Sequence, residues 1–193
     1  MRPSCQEQGL APATGRGPEA ARPSDGIDTV GEMITVDAYL GYCDRALDAF
    51  AEIVEELGDD LVNARLDGIP GSNSAFVLVA HIAGMAANWG STVNRGTVVP
   101  RNRPAEFTAT GTVDEALALL ERTRARLHED AHAASPMEQP ANPEREKDGS
   151  ISYATQGDVL LHVYEELAQH LGQLEVTRDV LLATRAGGSA GTA

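Results

Sequence analysis

Cysteine is nearly missing from this 193-residue chain, which holds only Cys5 and Cys43. Two thiols, one of them in a terminal stretch without apolar period, make no disulfide framework and leave a reducing compartment as the expectation. Aromatic residues are also few, at 4% of the sequence, and β-branched runs are few. Alanine and leucine therefore carry the apolar character, a composition that favours helix over sheet. Lysine occurs once, as Lys147, against 14 arginines, an imbalance that reads as coding bias from a GC-rich genome. Acidic residues outnumber basic ones 29 to 15, for a net charge of −14. So acidic a surface argues against nucleic acid and anionic membrane as partners. The sequence shows no apolar leader segment and no run of about 18 apolar residues, so the expected location is the cytoplasm.

What is present is helical periodicity. Residues 1–32, rich in Gly, Pro and Ala, are predicted to be a disordered extension, and the pattern that starts at once after Met33 makes that residue the expected start of translation. The stretch 33–185 reads as one four-helix bundle, and 186–193 as a flexible tail. The first helix is predicted from about Asp37 to about Leu57, on the stripe Tyr39, Leu40, Cys43, Leu47, Phe50, Ile53 and Leu57. A second, capped by Asn73 or Ser74, is predicted to reach about Asn94. Thr112 and Glu115 have the spacing of a capping box and open a third helix that ends near His132. Residues 135–150, with Pro136, Pro140, Pro143 and Gly149, form a loop, as does the long connection at roughly 95–111. The fourth and longest helix is predicted from about Thr155 to Thr184. An all-α four-helix bundle builds its sites from side chains on facing helices.

Three residues fit one such site. In LLHVYEELAQHLGQL, Glu166 and His170 stand at i, i+4 on one helical face, at the border of the apolar sector formed by Leu160, Val163, Leu167, Leu171 and Leu174. Gln173 lies within about 60° of both on the helical wheel. His81 emerges among Val77, Leu78 and Met85 on the second helix. Two imidazoles and a carboxylate suit a borderline divalent cation, with zinc as the default and iron or nickel also fitting. A solvated boundary stripe on the fourth helix and a hydrogen-bonded core His81 would give the same pattern separately. A metal explains both at once. His162, on the same stripe, is the alternative ligand.

These residues carry a family resemblance. LVAHIAGMAANW, with His81, and EELAQHLGQLEVTRD, with Glu166, His170, Gly172, Gln173 and Arg178, resemble the DinB-like superfamily of metal-binding four-helix bundles. Many members have His where this chain has Glu166, four residues before the last histidine of a His-x-Gly-Gln run. Glu at that place resembles the branch that includes mycothiol-dependent maleylpyruvate isomerase and actinobacterial mycothiol S-transferases. PGSNSAFVLVAHIAGM and VVPRNRPAEFTATGTVDE look like the same branch, and the likeness spans roughly 33–185. It implies a DinB-like bundle, a metal on His81, Glu166 and His170, mycothiol as thiol cosubstrate, and possible homodimers. The isomerase carries a further C-terminal domain, whereas this chain ends soon after the fourth helix. A stand-alone thiol transferase is therefore expected ahead of a thiol-dependent isomerase.

Around that site, Arg101, Arg103 and Asn88 are the candidate substrate or thiol contacts, since guanidinium forks suit carboxylates. Bonding of the arginine pair to local backbone or to Glu106 is the competing role. Gln173 is expected to orient a ligand from behind. Cys43 lies on an apolar stripe and is expected to be core, so no protein nucleophile is assigned. Trp89 is expected in the core, and His128 and His132 on the surface. The expected chemistry is activation of a low-molecular-weight thiol for attack on an electrophilic small molecule. A hydrolase using metal-bound water and a non-catalytic stress-related bundle are the alternatives. Structural zinc sites usually have four protein ligands, and only three good ones are found here.

Overall fold

Thr35 starts the first helix by accepting the Ala38 N–H on its Oγ1 at 3.1 Å. In the computed structural model, which describes residues 34–189, this helix is α1, Val36–Leu61. Its predicted stripe is buried throughout, with Ala46 and Val54 added. The predicted end at Leu57 falls where Gly58 takes φ +64, a left-handed conformation that glycine adopts freely, and the last turn continues beyond that kink.

Ser74 is the residue that caps α2, Ala75–Ala86, by accepting from the Val77 N–H at 3.3 Å. The helix does not stay α-helical to Asn94 as expected. Residues Ala87–Asn94 widen into a π-helix, a rare form often associated with functional sites. Gly90 sits in that segment against Asp130, and a Cβ there would lie 2.7 Å from the carboxylate oxygen. The predicted long loop contains α3, Arg103–Glu106, a single turn capped by Asn102 with proline in its first turn. Helix α4, Val113–His132, opens on the capping box of Thr112 and Glu115 as expected.

The longest helix, α5, spans Gln156–Ser189. It outruns its predicted end at Thr184, so the first residues of the expected flexible tail are helical. Residues 190–193, the expected extension 1–32 and the expected start at Met33 lie outside the described residues. The proline-rich segment before α5 is irregular, with one isolated antiparallel bridge between Arg145 and Ile151. No strand forms among the described residues, as the all-α reading requires.

Helices α1 and α2 barely touch and stand at opposite corners, each flanked by α4 and α5. The core between them is continuous and holds Leu47 and Phe50 of α1, Leu78 and Ile82 of α2, Leu120 and Leu127 of α4, and Leu167 and Leu174 of α5. Each such leucine contributes about 1.5–3 kcal/mol by leaving water. Ala75–Asn94 is, by length and composition, apolar enough to cross a membrane, which corrects the reading that no such run exists. Most of it is buried inside the bundle, and it carries His81 into the interior.

Candidate metal centre

His81 is 5% exposed, and its neighbours Val77, Leu78 and Met85 are buried with it. Its Nδ1 lies 2.8 Å from Glu106 Oε2. With Nδ1–H donating to that carboxylate, Nε2 keeps its lone pair and faces α5. Burial holds the His81 pKa below the ordinary imidazole value; His170 and Arg101 push the same way, against the pull of Glu106. The ring is therefore neutral, the form in which imidazole ligates a metal. Phe107 packs on it with ring centroids 5.1 Å apart.

Glu106 is itself buried, at 9% exposed. Arg101 donates to it twice, from Nε to Oε1 at 2.7 Å and from a terminal nitrogen to Oε2 at 3.0 Å. Burial alone would raise its pKa, but the hydrogen bonds from Arg101 and His81 outweigh burial and hold it below the usual carboxylate range. Gly84, one helical turn after His81, makes room for this arrangement, because a Cβ there would overlap the Glu106 carboxylate.

On α5, Glu166 Oε2 lies 3.4 Å from His170 Nε2 and 3.8 Å from His81 Nε2. The two imidazoles meet edge to face, with centroids 4.8 Å apart. One donor atom from each of the three residues falls within 4.8 Å of the others. Neither Glu166 contact is a good hydrogen bond, yet the three donors surround one point, a spacing suited to a cation held by bonds of about 2.0–2.2 Å. His170 Nδ1 is 3.1 Å from Gln173 Oε1, so Gln173 fixes the ring that Glu166 faces.

The other candidates fall elsewhere. His162 Nε2 is 4.0 Å from Glu166 Oε1, and its ring stacks on Tyr153 and meets the edge of Trp89. It stands beside the triad rather than in it. Trp89 is only partly buried. Arg101 takes the competing role, spent on Glu106, and Arg103 is exposed with its guanidinium 5.5 Å from the Phe107 ring centre. Asn88 lines a cavity with Arg101 that His81, Glu166 and His170 do not line. Cys43 is fully buried, and burial pushes its thiol up to about 11. His128 and His132 sit at the surface beside Asp44 and Asp37.

Glu106 is the residue that sequence reasoning placed only as a bonding partner for arginine. Asn102-Arg103-Pro104, a capping residue ahead of a first-turn proline, was the available sign that a helical turn interrupts the loop there. No spacing rule links Glu106 to His81 across 25 residues.

Fold and site together define an all-α bundle in which facing helices bring two histidines and a carboxylate to one point, a group able to hold a metal ion. A model of a family described as Mycothiol-S-transferase matches residues 38–182, from the first turn of α1 to Leu182 in α5. The chain belongs to the mycothiol S-transferase family. No curated protein matches it.

Proposed function

We propose that this protein is a metal-dependent thiol S-transferase that takes mycothiol and joins its sulfur to an electrophilic carbon of a second small molecule. The observation that carries the reading is the convergence of His81, Glu166 and His170 in a chain of the mycothiol S-transferase family. This donor set fits a borderline divalent cation, zinc first, and three protein ligands leave a position open. A cation held there favours thiolate over thiol at neutral pH.

The chain's own residues prepare the site. Glu106 commits His81 Nδ1, so that Nε2 is the atom presented to α5. Gln173 turns His170, and Arg101 neutralises Glu106 so that the buried carboxylate is not left unpaired. Cys43, buried and protonated, supplies no nucleophile, and the attacking sulfur belongs to the cosubstrate. That sulfur donates an electron pair to form one C–S bond. The displaced pair leaves with a leaving group, or is taken up on the electrophile and protonated. The reading places the protein in the cytoplasm, where small thiols stay reduced.

Metal-loaded protein mixed with mycothiol and monobromobimane should form the thioether and release bromide faster than the uncatalysed reaction. His170→Ala should fall to the uncatalysed rate. Absence of thiol-dependent conjugation, together with thiol-independent ester or amide cleavage, would replace the transferase by a hydrolase.

A further inference from the structure

A cavity of about 330 Å³ opens between α2 and α4, closed on one side by the segment that leads into α3. Glu106 is part of its wall, whereas the three residues of the candidate metal centre are not. Arg101, Arg122 and Arg126 also line it, with the amide of Asn88 beside them. In a chain of net charge −14, cations have carboxylates to find, and several do. Arg95, Arg101, Arg124, Arg178 and Arg185 each hold one. Arg122 and Arg126 hold none within 4 Å among the described residues, although they stand at i, i+4 on one face of α4, where like charges repel. Arg126 is tethered instead to the Ser91 hydroxyl, at 3.2 Å.

The acid in the wall does not discharge this cluster. Both Glu106 oxygens are engaged, one by Arg101 and the other by Arg101 and His81. Arg101 still has one terminal nitrogen uncommitted to that pair. Small residues of α2, Ala80, Ala83 and Gly84, share the wall with Arg122 and Arg126, both of them exposed.

The geometry points to an anion site in this cavity, sized for a small organic acid or phosphate ester and held by the Arg122 and Arg126 forks with Arg101 and Asn88 alongside. Planar guanidinium groups bind oxyanions through paired, charge-assisted hydrogen bonds, and an anion between Arg122 and Arg126 removes their mutual repulsion. The site goes beyond the transferase reading and needs no metal.

Titration of the full chain with inorganic phosphate and, separately, succinate at constant ionic strength tests it by calorimetry and by amide shifts at Asn88 and Gly84. Saturable binding of either anion is expected, and the preferred one tells a phosphate site from a carboxylate site. The double variant Arg122→Ala/Arg126→Ala should bind at least roughly tenfold more weakly. Arg185→Ala, which removes a distant exposed arginine, should bind as wild type does. No saturable binding of either anion would overturn the proposal, as would equal weakening by Arg185→Ala or undiminished binding by the double variant. Metal content of the same samples is a separate readout, so loss of this site and loss of the metal centre are told apart.

Discussion

Helices α4 and α5 each carry an i, i+4 pair of chemistry-bearing side chains, His128 with His132 and Glu166 with His170, and the two pairs meet different fates. The α4 pair turns toward α1 at the surface, where His128 lies 3.0 Å from both oxygens of Asp44 and is 40% exposed. His132 lies 3.4 Å from an exposed Asp37. These are ordinary surface contacts, each worth at most about 1 kcal/mol even with a charged imidazole. The α5 pair turns inward instead. Glu166, 26% exposed, stands 3.4, 3.8 and 4.0 Å from the imidazoles of His170, His81 and His162. Identical spacing thus produces a solvated patch on one helix and a set of converging donors on the other. The deciding feature is a third residue, the buried His81 brought across by α2.

Substitutions at the two pairs should separate them most widely in metal content. Glu166→Ala or His170→Ala is expected to drop bound metal from near one per chain to near zero with helicity by circular dichroism retained, while His128→Ala leaves metal content unchanged. If His162→Ala abolishes binding and His170→Ala does not, the ligand set is shifted by two turns of α5. A smaller effect is expected from behind His81. Glu106→Gln removes the charge that orients Nδ1, and metal affinity measured by chelator competition should fall by roughly 10- to 100-fold, the usual cost of losing such a partner.

The smallest effect lies on α4. Burial works against an ionised Asp44, but hydrogen bonds from His128 and Arg124 outweigh it and hold its carboxyl below the ordinary 3.8. A carboxyl depressed in the folded state stabilises the fold above its unfolded value, and that contribution fades as pH falls from there through the folded value. Asp44→Asn should therefore lower stability by less than about 1 kcal/mol at pH 7. By urea unfolding, the difference from wild type should shrink as pH drops below 3.8 toward the depressed value. A difference that stays constant with pH would remove the charge from this explanation.

Local signals were the legible part of the molecule. The caps at Ser74 and Thr112 and the apolar stripe of α1 are written in adjacent residues, and the helices start where those residues say. The triad was legible as well, because Glu166 and His170 share a face by periodicity and His81 stands out on an apolar helix. Three features were not. The π-helical widening at Ala87–Asn94 fits a tertiary contact, Gly90 and Ser91 against Asp130, where the Ser91 hydroxyl donates to the carboxylate at 2.6 Å. The contact of Glu106 with His81 depends on a loop folding back over α2. The continuation of α5 to Ser189 runs through Gly187 and Gly188, residues that usually mark a helix end.

The central claim is that one cation belongs to His81, Glu166 and His170, and its most direct test is elemental analysis of the full-length protein purified without chelator. Close to one equivalent of a single divalent metal per chain, lost in His170→Ala and kept in His128→Ala, is the expected result. A well-folded wild-type sample that holds no metal, and takes up none when dialysed against zinc, iron or nickel, would contradict it.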